Sequence, residues 1–192
     1  DNAGTSFAAK IADLPADPAR RARELLTLGS EAREIAAALA EFHIKTQAGT
    51  PLSDAAKKAR IDHLINKIRR LQEEGAVSAE DSKRILDAFQ ERVVPEYKAV
   101  SLPRTSALGD ANPANLIVRD GKFIAIDVSS VLDSLSESGK RWTGATGIHD
   151  AGRFIEGLEH FGSGLRPQEL MAVRAAFVER YLQKTGLRAE DA

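Results

Sequence analysis

The sequence contains no cysteine in its 192 residues. Without thiols the chain can form neither a disulfide framework nor a thiolate metal site, which agrees with a reducing compartment, and we predict a cytoplasmic location. No apolar run approaches the roughly 18 residues of a membrane-spanning helix, so no membrane partner is predicted. Basic and acidic residues number 27 and 28, so no overall field would attract nucleic acid. An anionic ligand would therefore have to be held by a local site.

Motifs for several common chemistries are also missing. There is no Gly-x-Ser-x-Gly nucleophile motif, and the spacing of the four histidines does not suit a zinc site. Internal repeats and low-complexity segments are not found. With 43% hydrophobic residues, the chain has enough material for one compact domain with at most a small appendage. Because it begins at Asp1 rather than at methionine, we expect that the native start of the protein is not visible here.

Most of the chain shows the periodicity of amphipathic helices. Residues 31–43 place Ile35, Leu39 and Phe42 on one face, with Ser30 available as N-cap. Further helices are predicted over residues 58–75, from Ser78 up to Pro95, from about Asp150, and from Pro167 to near Gly186. The chain is therefore predicted to be mainly α.

One stretch, LGDANPANLIVRDGKFIAIDVSS at residues 108–130, interrupts the helices. Its runs NLIV and KFIAI are short and β-prone, and the dipeptide Asp120-Gly121 between them favours a two-residue type I′ turn. We therefore predict a β-hairpin. Residues 129–148, which are rich in serine, glycine and threonine, are predicted to form a long loop after it.

The hairpin register brings short polar side chains to its open end. Asn115 is predicted to face Ile126, with Asp127 one residue beyond. Adjacent strands lie ~4.8 Å apart, so the two side chains can reach a common magnesium ion at ~2.0–2.1 Å if nucleotide phosphates supply the other ligands. Asp110, in a loop bent by Gly109, can turn back beside that ion. Each of these residues taken alone also suits a simple turn.

The strings LGDANPAN and IAID resemble the catalytic loop and the metal-binding aspartate of the aminoglycoside phosphotransferase and choline kinase family, whose members are two-lobed relatives of protein kinases. The resemblance implies that Asp110 orients and deprotonates the acceptor hydroxyl. It implies that Asn115 and Asp127 bind Mg²⁺ and, through it, ATP. The implied fold is mainly α with a small β-hairpin, namely the helical C-terminal lobe of the protein-kinase-like fold without its N-terminal β-lobe.

Other parts of the chain include both matches to this family and departures from it. The segment AAALAEFH resembles a family helix that ends in a Phe-His or Leu-His pair. Asp150 resembles an aspartate that braces the catalytic loop, although a simple helix N-cap is an equal alternative. Leu108 stands where the family usually has histidine, and Val128 and Ser129 stand where it often has an aromatic residue and glutamate.

The family's small β-lobe, which covers the phosphates and supplies a lysine, has too little chain to form here. Lys10 superficially resembles that lysine, but only nine residues precede it. We predict that residues 1–14 are the end of an N-lobe strand and the hinge. Residues 15–192 are then the helical catalytic lobe, with its catalytic loop and metal-binding hairpin at residues 108–128. ATP contacts would be partly absent, so that this chain alone is expected to be an inactive fragment if the lobe is required.

Three functions compete at this level. The leading hypothesis is an ATP- and magnesium-dependent kinase that phosphorylates the hydroxyl of a small molecule. A non-catalytic kinase-like binding or regulatory module, and a helical interaction domain with an incidental hairpin, are the alternatives. The acceptor stays open, because acidic residues would favour a cationic acceptor and basic or aromatic ones an anionic or sugar acceptor. The candidates are Asp133, Glu137 and Glu156 for the first, and Arg141 and Trp142 for the second.

Overall fold

The computed structural model describes residues 4–47, 51–127 and 146–187. They belong to two compact units, the first made of Asp1–Gln47 and Thr105–Ala192 and the second of Ala48–Arg104. The described residues are mostly helical, with one two-stranded antiparallel sheet. The predicted fold class, mainly α with a small hairpin, is therefore confirmed.

In chain order the elements are α1 (Phe7–Ala12), α2 (Pro18–Lys45), α3 (Asp54–Glu73), α4 (Ala79–Ala88), α5 (Val94–Ala99), β1 (Leu116–Arg119), β2 (Lys122–Ala125), α6 (Gly147–Phe161) and α7 (Pro167–Thr185). Within the described ranges, no helix combines the length and the apolar character of a membrane span.

The strand predicted near the N-terminus is wrong, because the same residues form α1. Ser6 caps this helix by accepting a hydrogen bond from the backbone N–H of Ala9 at 3.3 Å. An N-cap serine and several alanines favour a helix over a strand. The helix then buries Phe7 and Ile11 in the core. Ser6, just before the helix, makes an isolated β-bridge to Ile117 in β1. The boundary at residue 14 stays a prediction.

The helix predicted from residue 31 begins much earlier. Asp17 is its N-cap and accepts a hydrogen bond from the N–H of Arg20 at 2.8 Å, with Pro18 in the first turn. Ser30, predicted as the N-cap, lies inside α2. Both Asp and Pro are typical of helix starts, and packing of the buried Leu28 and Ala32 on either side carries the helix through this region.

The second unit contains α3, α4 and α5. Ser78 caps α4 as predicted, because its Oγ accepts a hydrogen bond from the N–H of Asp81 at 3.0 Å. Pro95 does not end this helical stretch. A π-helical turn at Phe89–Val93 precedes it, and Pro95 lies in the first turn of α5, where its missing N–H is tolerated.

The hairpin forms in the predicted register. Leu116 pairs with Ala125 and Arg119 pairs with Lys122. Asp120 and Gly121 have φ angles of +51° and +68°, the left-handed values that a type I′ turn requires and that glycine adopts without strain. The buried side of β1 joins the core of the first unit.

That core is built mainly where α2, α6 and α7 meet. Phe154 of α6 stacks on Phe177 of α7 with ring centroids 4.3 Å apart. Phe7 of α1 packs against Phe154 at 5.5 Å. Aromatic pairs at these distances add to the stabilisation that burial provides. The core therefore holds α6 in place, and α6 carries the residues that contact the loop before the hairpin.

Candidate active site

Asp150 fixes the backbone of the loop that carries the candidate site. Its carboxylate is fully buried. Oδ2 accepts a hydrogen bond from the N–H of Leu108 at 2.6 Å, and Oδ1 accepts one from the N–H of Gly109 at 2.9 Å. The N-cap of α6 is Thr146, so the N-cap alternative for Asp150 is wrong. The structure instead shows the loop contact that the resemblance implied. Leu108 takes part in this contact through its backbone N–H.

A buried histidine and tyrosine extend this anchor. His43, near the end of α2, lies 3.0 Å from Oδ2 of Asp150 through Nε2 and 2.8 Å from the Tyr181 hydroxyl through Nδ1. A neutral histidine satisfies both contacts if Nε2–H donates to the carboxylate and Nδ1 accepts from the hydroxyl. Burial and the charge of Asp150 raise the pKa of Tyr181, which keeps its hydroxyl proton available. Three helices thereby fix one carboxylate.

The side chain of Asp110 is held at both carboxylate oxygens. Nη2 of Arg153 donates to Oδ1 at 2.8 Å, and Nδ2 of Asn115 donates to Oδ2 at 3.0 Å. Burial raises the pKa of Asp110, but hydrogen bonds from Arg153 and two asparagines, together with the charge of Arg153, outweigh burial and lower the pKa below its ordinary value. Asp110 is therefore a carboxylate at neutral pH and can accept a proton from a hydroxyl.

The amide of Asn115 has an orientation set by its partners. Nδ2 donates both to the carbonyl oxygen of Asp110 at 3.1 Å and to its Oδ2. Because both partners are acceptors, the nitrogen must face them and Oδ1 must point the other way. Among the described residues no donor reaches Oδ1 of Asn115. An amide oxygen is a ligand type that magnesium accepts.

Asp127 lies where the register predicted. The N–H of Ile126 donates to the carbonyl oxygen of Asn115 at 2.9 Å, which extends the pairing beyond the strands, and Asp127 follows directly. Its side chain is exposed, and its backbone has a φ of +55°. A left-handed conformation is uncommon outside glycine and best tolerated by Asn and Asp. The residue therefore ends the hairpin with a left-handed turn at an exposed position.

The side chains of Asn115 and Asp127 are of the chemical type that magnesium accepts when phosphates share its coordination. Asn115 supplies an amide oxygen and Asp127 a carboxylate, and magnesium typically takes one or two protein ligands plus water and substrate oxygens. No group of three or more His, Cys, Asp or Glu side chains that would suit a metal occurs in the described part of the chain. A cation here would thus depend on the nucleotide for its other ligands.

Close packing keeps the loop between Asp110 and Asn115 in place. Pro113 is buried, and its carbonyl accepts a hydrogen bond from the N–H of Ala8 at 3.0 Å. Gly157 of α6 lies so close that a Cβ there would be 2.2 Å from Cδ of Pro113. Glycine is therefore needed at 157 for α6 to approach the loop.

Lys10 does not reach the candidate site directly. Its Nζ pairs with Oε1 of Glu31 at 2.5 Å and donates to the carbonyl of Val118 at 3.3 Å. The two side chains help to line a cavity of about 340 Å³ beside α2. A contact between Lys10 and a phosphate is still only what the family resemblance suggests.

The structure also shows what the sequence patterns missed. Arg153 contacts Asp110 and was not predicted, although it follows Asp150 by three residues and so shares its helix face. Glu156, predicted as an acceptor contact, pairs with Arg153 at 2.9 Å. The remaining predicted acceptor contacts and two departures from the family lie outside the described residues: Asp133, Glu137, Arg141, Trp142, Val128 and Ser129.

Comparison with known proteins finds solved structures that share the fold of this chain. No protein-family model matches the chain, and no curated protein matches it. Among solved structures it is similar to glucosamine kinase (crystal form B), with a TM-score of 0.68 and 16% identity over 98% of this chain and 49% of that one. It is also similar to glucosamine kinase in complex with glucosamine, ADP and inorganic phosphate, with a TM-score of 0.66 and 15% identity over 98% and 48%.

The chain spans about half the length of these structures. At such identities the likeness shows that this chain has the fold of that half of a small-molecule kinase.

Proposed function

We propose that this chain is the catalytic lobe of an ATP- and magnesium-dependent phosphotransferase that acts on the hydroxyl of a small molecule. The observation that carries the proposal is the held pair of Asp110 and Asn115. The carboxylate of Asp110 accepts hydrogen bonds from two side chains, and Oδ1 of Asn115 points away from Asp110. Asp127 follows at the end of the hairpin. The resemblance to the aminoglycoside phosphotransferase and choline kinase family and the fold shared with glucosamine kinase both support this assignment.

In the proposed reaction the chain supplies position and charge. Asp110 binds the acceptor hydroxyl, whose oxygen forms a bond to the γ-phosphorus of ATP while the bond from that phosphorus to the β,γ-bridging oxygen breaks. The hydroxyl proton passes to the Asp110 carboxylate, and ADP leaves with the bonding electrons. Asn115 and Asp127 would hold magnesium together with the phosphates, and the ion would neutralise the charge that develops on them. Asp150 keeps the loop backbone fixed, so the donor and acceptor meet in line.

The alternative of a non-catalytic kinase-like module rested partly on Leu108, where the family has histidine. The hydrogen bond from the N–H of Leu108 to Asp150 weakens that argument, because the loop is anchored without a histidine side chain. The acceptor, an aminoglycoside-like specificity and a cytoplasmic location all stay predictions. Glucosamine is the first acceptor to test, because the solved complex of the similar kinase contains it.

The test is an ADP-release assay on the natural full-length protein with magnesium-ATP and a panel of sugars that starts with glucosamine. Asp110→Asn should lower kcat by roughly 10²-fold or more, as expected for the loss of a positioned proton acceptor. Asp127→Asn should raise the magnesium concentration needed for activity. The matched control is Asp87→Asn, which removes an exposed carboxylate paired with Lys83 and should leave activity unchanged. Equal activity of wild type and Asp110→Asn would refute the assignment.

A further inference from the structure

Arg153 contacts the candidate base from the same helix that anchors its loop. Nη2 of Arg153 donates to Oδ1 of Asp110, and Nη1 donates to Oε2 of Glu156 at 2.9 Å. Asp150, one turn earlier on α6, holds the backbone of the loop. Helix α6 thus fixes both the main chain and the reactive side chain.

Arg153 and Asn115 act on different oxygens of Asp110. Arg153 holds Oδ1, and Asn115 holds Oδ2. Rotation of the carboxylate about its terminal torsion, which is otherwise soft, would break both hydrogen bonds. A carboxylate has about four acceptor sites, so it can still accept a further O–H. The clamp therefore fixes the carboxylate plane without blocking it.

We propose that Arg153 is a positioning residue for Asp110, one that holds the carboxylate in the orientation that an acceptor hydroxyl must meet. This inference rests on the proposed function. Glu156 in turn orients the guanidinium through its second nitrogen, so that the planar fork presents Nη2 to Asp110. Arg153 should therefore affect the chemical step rather than nucleotide binding. The proposed function assigns nucleotide binding to Oδ1 of Asn115 and the carboxylate of Asp127, which would hold the magnesium ion.

A positioning role and a structural role predict different results. The side chains of Arg153 and Asp110 are 39% and 34% exposed, and ion pairs this exposed contribute little to folding stability. A displacement of a reacting group by about 1 Å, in contrast, can cost on the order of 10² in rate. Loss of Arg153 should therefore lower kcat far more than it lowers the thermal midpoint.

The kinetic test compares Arg153→Met, Arg153→Lys and Arg174→Met in the natural full-length protein. Arg174 of α7 is the matched control, because it is 40% exposed and pairs with Glu159, a residue of α6, rather than with Asp110. We expect Arg153→Met to lower kcat by roughly 10- to 100-fold with KM for magnesium-ATP unchanged. Arg153→Lys should restore part of kcat, and Arg174→Met should behave as wild type. An unchanged kcat, or a parallel fall of kcat and the thermal midpoint without rescue by lysine, would overturn the proposal.

A second readout does not depend on activity. The side-chain amide of Asn115, observed by ¹⁵N NMR on this chain and assigned by its loss in Asn115→Ala, reports the orientation of Asp110. Arg153→Met should shift or broaden that signal, and Arg174→Met should leave it in place. If wild type transfers no phosphate, the proposed function fails, and the amide signal still decides whether Arg153 positions Asp110. An unchanged Asn115 signal in Arg153→Met would refute the positioning role.

Discussion

Replacing Asp150 with asparagine should weaken the hydrogen bonds that hold the candidate loop and so lower the free energy of unfolding. The side-chain volume changes very little. The carboxylate is fully buried and accepts hydrogen bonds from Leu108 N–H at 2.6 Å, Gly109 N–H at 2.9 Å and His43 Nε2 at 3.0 Å. Asparagine offers one acceptor oxygen in place of two, and its NH₂ group would face a donor. At least one buried N–H is then left without a partner.

The magnitude follows from these contacts. A hydrogen bond to a charged group contributes about 1.5–3 kcal/mol, and a buried donor left unpaired costs about 1–3 kcal/mol. The free energy of unfolding should therefore fall by about 3–5 kcal/mol, close to what the loss of one partner from a buried pair costs. That is a large part of the free energy of unfolding of a typical protein, which is about 5–15 kcal/mol.

Urea denaturation followed by circular dichroism measures this change. The Asp87→Asn variant, which alters an exposed carboxylate, should leave the urea midpoint where it is. Tyr181→Phe removes the hydroxyl at the far end of the network and should lower the free energy of unfolding by about 1–2 kcal/mol, less than Asp150→Asn. A loss below about 1 kcal/mol in Asp150→Asn would show that the buried carboxylate does not hold the loop, contrary to our reasoning.

Two further predictions concern contacts within the first unit. Arg21 donates to both oxygens of Glu169, at 2.9 and 2.6 Å, and these hydrogen bonds lower the pKa of Glu169 to about 2 from its ordinary 4.5. The pair therefore stabilises the folded protein above about pH 4.5, and this stabilisation is lost as the pH falls toward 2; acid denaturation of Glu169→Gln should lack that component. Gly157→Ala should force its Cβ against Pro113 and lower the free energy of unfolding by about 1–3 kcal/mol, and a wild-type urea midpoint would contradict this close approach.

The hairpin was predictable because its determinants are local. The dipeptide Asp120-Gly121 sets both the turn type and the register, and the register places Asp127 one residue past the partner of Asn115. The helix stop at Gly186 is local in the same way, since this residue has a φ of +70°. Predictions of this kind need only a few neighbouring residues, and the structure confirms them.

Other features depend on contacts between distant residues. The N-terminal segment was predicted as a strand, and the cap by Ser6 with burial of Phe7 makes it a helix. For Asp150 the sequence left two alternatives, and only the packing of α6 against the loop decides between them. The contact between Arg153 and Asp110 joins residues far apart in the chain. The helical period places Arg153 on the same face as Asp150, but only the fold brings that face to Asp110.

Under the proposed function, Asn115 and Asp127 hold a magnesium nucleotide beside Asp110. Calorimetric titration of magnesium-ATP into the natural full-length protein and into its Asp127→Asn variant tests this claim most directly. We predict magnesium-dependent binding that weakens by roughly tenfold or more in the variant, equivalent to about 1.4 kcal/mol. Equal affinities for the two proteins, with the fold intact, would contradict a metal-phosphate site at the end of this hairpin.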